Sequence, residues 1–243
     1  PVYVSVSANN GYYFNSVIIN GNSYTVGESA PLAFPNASWD AENSRIIFSA
    51  LTGNVTVSAN FRECEYDVNL SVVSTNVIST ATDVIEVNSQ SSVLNRTNTA
   101  LFNKEFEFKV NLEEGYEIQS VTANNVDLVA LSDGVYVCKI TGNTDIKVTI
   151  SKKSFTVVAN FAYNDVYNYY ADDSCIRGAG SYYYGSTFGI NVDLPEMFVI
   201  TSWTINGVRN SNISTYWGWN NITENFDIVI NLGIKTSQIS FGQ

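Results

Sequence analysis

The sequence contains no histidine among its 243 residues. Histidine is the commonest general acid or base near neutral pH, so its absence excludes Ser-His-Asp and Cys-His catalytic arrangements. Paired carboxylates could still hydrolyse glycosides, but the acidic residues lie in alternating strands and turns without a recognisable pairing. Gly178-Ala179-Gly180 lacks the strand and helix that a phosphate-binding loop joins. We therefore expect no catalytic residues and no enzymatic activity.

Positive charge is also scarce. The chain has 12 Lys and Arg against 23 Asp and Glu, which gives a formal net charge of −11. Binding of nucleic acid needs clustered basic residues, and an acidic protein is repelled by anionic membrane surfaces. Long apolar runs are missing as well, which argues against insertion into a bilayer. The acidic surface is typical of an exposed protein that stays soluble by mutual repulsion.

Cysteines are too few for a disulfide framework or a zinc site. The three cysteines are Cys64, Cys138 and Cys175, and no CxxC pair occurs. Cys138 lies in an alternating strand pattern and is expected to be a small core residue. We expect no metal or cofactor. Bound Ca²⁺ is the one alternative, without EF-hand spacing, and its oxygen ligands would be Asp165, Asp172 and Asp173.

The chain is rich in strand and turn signals that recur three times. Equivalent segments read GYYFNSVIING from Gly11, GYEIQSVTANN from Gly115 and MFVITSWTING from Met197. Apolar residues alternate with polar ones, and Asn-Gly pairs mark hairpins. Only residues 80–94 could hold a short helix. The pattern predicts an all-β fold of three tandem, small β-sandwich-like modules, Ig-like or grasp-like, with little or no helix.

The predicted modules span residues 1–62, 63–152 and 153–232, and a tail covers residues 233–243. The second and third modules open with an extra strand, at Tyr66 and Phe155, which the first module lacks. The tail falls where another opening strand would begin. The chain starts at Pro1 without a leader-like segment, so we expect a mature product, a fragment, or a chain that has lost its initiator Met.

The order of motifs resembles a known family. GSYYYGSTFGINV from Gly180, SWTING from Ser202 and ITENFDIVINL from Ile222 follow the order of the divergent InlB B-repeat family of bacterial surface proteins. The resemblance implies a secreted or surface-displayed spacer or adhesion module without enzymatic activity, similar to domains of phage structural proteins. We expect an extracellular location, on a cell surface or on the exterior of a virion. The insertion from Ser74 to Asn103 departs from the family's pattern.

The asymmetry of the ends suggests assembly. An incomplete sheet exposes unpaired backbone groups that a strand from another copy could cover. We therefore hypothesise a head-to-tail homo-oligomer, or contact with neighbouring structural subunits, through Gln238, Ile239, Ser240 and Phe241. Two alternatives remain: the chain was cut out of phase from a longer array, or the smaller first module is stable by itself.

Aromatic residues are concentrated in the third module. Exposed aromatic faces stack on sugars or anchor interfaces, although alternate residues of a strand point into the core. The candidate binding face, for a glycan or another partner, consists of Tyr182, Tyr183, Tyr184, Trp217 and Trp219. Core packing is the competing interpretation of the same residues.

Overall fold

The computed structural model describes residues 1–27, 30–75, 84–87, 90–92, 95–162 and 170–236. Strands joined by turns and loops make up these residues, the one helical element among them is a 3-10 turn at Asp173–Cys175, and the predicted all-β class is confirmed. The segment that could have held a helix contributes two short strands where it is described. Those strands are Ile85–Val87 and Gln90–Ser92.

The first repeat consists of two small sheets. Its strands are β1 (Val2–Ser5), β2 (Tyr12–Ile19), β3 (Asn22–Thr25), β4 (Ala30–Pro31), β5 (Ala37–Asp40), β6 (Arg45–Phe48) and β7 (Val57–Glu63). One sheet has the order β3-β2-β7 and the other β1-β6-β5-β4. Apolar side chains of both sheets, among them Ile19 and Phe48, form one buried cluster. Burial of that cluster is the main stabilising contribution here.

The second repeat contains a larger sheet. Its strands are β8 (Glu65–Thr75), β9 (Ile85–Val87), β10 (Gln90–Ser92), β11 (Asn95–Leu101), β12 (Glu105–Val110), β13 (Tyr116–Ala123), β14 (Val126–Asp127), β15 (Val135–Lys139) and β16 (Thr144–Lys152). The sheet orders are β11-β8-β16-β13-β14 and β10-β9-β12-β15. Strand β12 alternates strictly, with Phe106, Phe108 and Val110 buried and the residues between them exposed. This period of two is what places one face of the strand in the core.

The third repeat has the same sheet order in its larger sheet. Its strands are β17 (Ser154–Phe161), β18 (Ile176–Arg177), β19 (Gly180–Tyr183), β20 (Phe188–Val192), β21 (Phe198–Ile205), β22 (Val208–Asn210), β23 (Tyr216–Trp219) and β24 (Phe226–Ile234). The orders are β19-β17-β24-β21-β22 and β18-β20-β23. Trp203 is fully buried between them, and its indole N–H donates to the carbonyl of Ser214 at 3.1 Å.

Each repeat has an asparagine in one equivalent hairpin, which joins β2 to β3, β13 to β14 and β21 to β22. Asn20, Asn124 and Asn206 adopt positive φ angles of 46°, 48° and 47°, which suit the tight hairpin turn. In every case the asparagine side-chain oxygen accepts a backbone N–H from the closing strand or the residue before it. The donors are Thr56 at 2.9 Å, Asp145 at 2.8 Å and Asp227 at 2.8 Å. The hairpin asparagine that recurs in the sequence therefore makes the same hydrogen bond in all three repeats.

The chain divides into two compact units. The first includes Pro1–Val73 and Ser120–Thr149, and the second includes Leu112–Gln119 and the described residues from Ile150 onward. The closing strand β24 runs to Ile234, past the predicted module boundary at 232. The limits of the three modules stay a prediction.

Candidate functional site

The outer edge of β7 is the first candidate site. The corresponding closing strands β16 and β24 each lie between two neighbours in their sheets, whereas β7, in the described part of the chain, pairs with β2 alone. Ile228 and Ile230 of β24 are completely buried. At the equivalent positions of β7, Val57 and Ala59 are only half-buried. Phe61, the next residue on that face, is 41% exposed. The first repeat thus exposes a strand edge and an apolar face that the other repeats cover.

A second feature is the joint that follows each closing strand. The joint between the first and second repeats consists of Gly11, Cys64 and Phe102, and the joint between the second and third consists of Gly115, Lys153 and Tyr184. In the first joint the backbone N–H of Cys64 donates to Gly11 at 2.8 Å, and that of Phe102 donates to Cys64 at 2.8 Å. In the second joint the N–H of Lys153 donates to Gly115 at 2.8 Å, and that of Tyr184 donates to Lys153 at 2.9 Å.

The third repeat contains the first of the two hydrogen bonds that define each joint. The N–H of Lys235 donates to the carbonyl of Met197 at 2.8 Å, in the position that Cys64 and Lys153 take in the two joints. The residue that follows β24 therefore makes the same backbone hydrogen bond as the residues that follow β7 and β16. The predicted assembly strand itself, Gln238, Ile239, Ser240 and Phe241, lies outside the described residues.

The five predicted aromatic residues do not form one exposed face. Tyr184 belongs to the second joint, where burial, together with the neighbouring Glu114 carboxylate, raises its pKa. Tyr182 is half-buried, and its hydroxyl donates to the carbonyl of Gly178 at 2.6 Å. Tyr183 is exposed on β19, a strand of the larger sheet. Core packing and joint formation thus account for two of the three tyrosines.

The two tryptophans of β23 have different surroundings. Trp217 is buried in the core, with its ring centroid 5.7 Å from that of Phe188. Trp219, at the end of the strand, is 46% exposed and stacks on Trp217 with a centroid distance of 5.9 Å. Because β23 belongs to the smaller sheet and β19 to the larger one, Trp219 and Tyr183 lie in different sheets.

Trp219 borders a cleft of about 520 Å³ in the third repeat. The cleft is also lined by Val208, Arg209 and Glu224, which belong to no predicted site. An exposed indole beside a guanidinium and a carboxylate offers both a stacking surface and hydrogen-bonding groups. The only sequence signal for these residues is that Val208 and Arg209 directly follow the Asn206-Gly207 hairpin.

Of the acidic residues considered for Ca²⁺, Asp172 and Asp173 lie at the 3-10 turn. Asp165 lies outside the described residues. Asp172 caps the 3-10 turn: it accepts the backbone N–H of Ser174 at 3.0 Å and also the Ser174 hydroxyl, and these bonds lower the pKa of its carboxyl group. Within the part of the chain that the structure describes, no three His, Cys, Asp or Glu side chains lie close enough to hold a metal ion.

All three cysteines are free thiols. Cys138 is buried, as its strand pattern predicts, and burial raises the pKa of its thiol. Cys64 and Cys175 are half-buried. A buried thiol with a raised pKa is a poor nucleophile, so Cys138 acts as a packing residue.

None of the described segments forms a helix of the length and apolarity needed to cross a membrane. No family model and no curated protein matches the chain. The resemblance to InlB B-repeats therefore stays a prediction. Among solved structures, the chain is similar to the Bacillus anthracis TIE protein, with 9% identity and a TM-score of 0.36, over 94% of this chain and 49% of that one. The chain thus spans about half the length of that protein's chain, and similarity at this level identifies neither a fold nor a function.

Proposed function

We propose that this chain is a non-enzymatic structural repeat protein that builds or decorates an extracellular filament, a cell surface or a virion. Copies join head to tail by β-strand exchange, with Gln238–Phe241 of one copy beside β7 of the next. The observation that carries this proposal is that β7 pairs with β2 alone among the described residues, whereas its counterparts β16 and β24 each lie between two strands. Edge strands of this kind are normally covered, because their unpaired backbone groups invite pairing.

The tail has apolar residues at the positions that a covering strand must bury. Strand β17 follows Lys153 and buries Val157 and Ala159, at the fourth and sixth positions after it. The same positions after Lys235 are Ile239 and Phe241. Ser240, which lies between them, is polar, as the alternation of a half-buried strand requires.

A contact of this type uses different surfaces on the two copies. Such a contact continues into a filament unless its rotation closes a ring. The test is light scattering and negative-stain electron microscopy of the full chain beside a chain that ends at Thr236. We expect filaments or large oligomers from the full chain and monomers from the shortened one. Monomers in both cases would refute strand exchange and favour the interpretation as a piece of a longer array.

Carbohydrate binding is the second candidate function, and the exposed Trp219 at its cleft favours it. A glycan array probed with the full chain tests this function directly. Loss of binding in Trp219→Ala, with binding kept in Tyr183→Ala, is the expected result, because Tyr183 is an exposed aromatic residue on the other sheet. Absence of binding to any glycan, or equal binding by both variants, would refute a sugar site at this cleft.

A further inference from the structure

The turn before each closing strand carries an asparagine at the same place in the repeat, and these residues are Asn54, Asn143 and Asn225. In the second repeat the Asn143 side-chain oxygen accepts the backbone N–H of Asp67, in the opening strand β8, at 3.1 Å. In the third repeat Asn225 accepts the N–H of Thr156, in the opening strand β17, at 2.8 Å. The asparagine thus fixes the start of the opening strand beside the closing strand in both repeats.

Asn54 has the same local setting without the opening strand. Thr56 donates its N–H to Asn20, just as Asp227 donates to Asn206 in the third repeat, so the turn that carries Asn54 is held in the same way. Asn54 is exposed, and the described residues offer its side chain no hydrogen-bond partner. Its amide oxygen is an acceptor available to an incoming backbone N–H.

The donor can be identified by its position relative to the joint. Asp67 is the third residue after Cys64, and Thr156 is the third residue after Lys153. The third residue after Lys235 is Gln238. We propose that Asn54 is the docking residue for the exchanged strand, and that its side-chain oxygen accepts the backbone N–H of Gln238 from a second copy. This inference rests on the proposed function and adds to it the residue that sets the register.

The register follows from the third repeat. There β17 runs parallel to β24, and Ala159 pairs with Ile228. The equivalent residues are Phe241 of the incoming strand and Val57 of β7. Parallel addition with this register puts Phe241 beside Val57, on the half-buried face of β7. A shift of the register by one residue would turn Phe241 to solvent. The hydrogen bond between Asn54 and Gln238 favours the register in which Phe241 is buried.

The test uses three variants of the full chain, Asn54→Ala, Asn54→Asp and Asn22→Ala, compared with the wild type by sedimentation over a range of concentrations. Asn54→Ala removes the acceptor, and we expect assembly to weaken about fivefold to tenfold, as the loss of one hydrogen bond gives. Asn54→Asp keeps an acceptor oxygen and should assemble like the wild type. Asn22 is an exposed asparagine on β3 of the same repeat, and its variant should also match the wild type.

The outcomes separate this inference from the proposed function. A wild-type chain that stays monomeric overturns strand exchange, and the docking role of Asn54 with it. A wild-type chain that assembles, with Asn54→Ala assembling equally well, overturns the docking role alone. If Asn54→Asp assembled as weakly as Asn54→Ala, the docking role would also be contradicted, because an acceptor oxygen at residue 54 would then not be sufficient for assembly. Circular dichroism of each variant checks that the exposed substitution leaves the fold unchanged.

Discussion

The ring of Phe102 lies over Gly11, in the space that a β carbon at residue 11 would occupy. Tyr184 stands in the same relation to Gly115 in the second joint. Both glycines also have positive φ angles, of 80° and 88°. At the equivalent place in the third repeat stands Met197, whose side chain is 50% exposed. Glycine is therefore required where an aromatic residue of the next repeat packs, and the third repeat departs from that arrangement.

Substitution of Gly11 should destabilise the first joint more than its backbone angle alone explains. Gly21 has a similar φ of 84°, but nothing lies near the position of its β carbon, so it is the matched control. We expect Gly21→Ala to cost about 1–2 kcal/mol for the left-handed backbone. Gly11→Ala should cost about 1–3 kcal/mol more, because Phe102 must move.

The measurement is the free energy of unfolding of each variant from a urea titration. Equal losses for Gly11→Ala and Gly21→Ala would contradict the packing of Phe102 on Gly11.

The hairpin asparagine of the third repeat should contribute through both its backbone angle and its side chain. Asn206→Ala loses the hydrogen bond to the N–H of Asp227 and strains the positive φ, so we expect a loss of about 2–3 kcal/mol. Asn206→Gly tolerates the positive φ and loses only the side-chain hydrogen bonds, which include a second one from the amide to the carbonyl of Asn225, and it should cost about 1 kcal/mol. Urea unfolding followed by tryptophan fluorescence reports mainly on this repeat, which holds three of the four tryptophans. A glycine variant as unstable as the alanine variant would show that the backbone angle contributes nothing.

The two tryptophans of β23 should differ in their effect on stability. Trp217→Ala removes a buried side chain from the core, which costs about 3–5 kcal/mol. Trp219→Ala removes a half-exposed ring that stacks on Trp217, and the cost should be about 1 kcal/mol. Thermal unfolding of both variants tests this. Similar losses for the two would mean that Trp219 is a core residue and unsuited to ligand binding.

Thiol reactivity should follow burial. Burial raises the pKa of Cys138, so less thiolate is present at any given pH, and access is also restricted. With iodoacetamide at pH 8, followed by mass spectrometry, we expect Cys64 and Cys175 to be modified before Cys138. Raising the pH should accelerate modification of Cys138, and urea should make all three equal. Early modification of Cys138 in the native protein would contradict its place in the core.

Much of the fold is predictable from the sequence because strand alternation is a local signal. Phe106, Phe108 and Val110 alternate with charged residues, and all three are buried as that pattern requires. The packing of Phe102 on Gly11 is not predictable in this way, because it joins residues that are far apart in the chain. Alternation likewise places Trp217 and Trp219 on one side of β23, but it does not reveal that the core ends between them.

In the candidate sites, too, contacts between residues far apart in the chain cannot be predicted from local sequence patterns. The missing opening strand of the first repeat can be inferred by aligning the repeats, but only the sheet order of the other two repeats shows that this strand would lie beside β7. Asn54 cannot be found this way, since asparagine is abundant in the chain and its role depends on the hydrogen bonds of Asn143 and Asn225. Arg209 and Glu224 are single charged residues, and only the fold brings them to one cleft.

The proposed assembly depends on binding of the alternate apolar residues of the tail to β7 of another copy. The most direct test compares Phe241→Asp with Ser240→Asp in the full chain by sedimentation at equal concentration. The two variants add the same charge, but Phe241 corresponds to the buried Leu70 and Ser240 to the exposed Asn69 of β8. Large assemblies of the wild type and Ser240→Asp, with monomeric Phe241→Asp, are the predicted result. Assembly of Phe241→Asp at the wild-type level, or a monomeric wild type, would contradict the account.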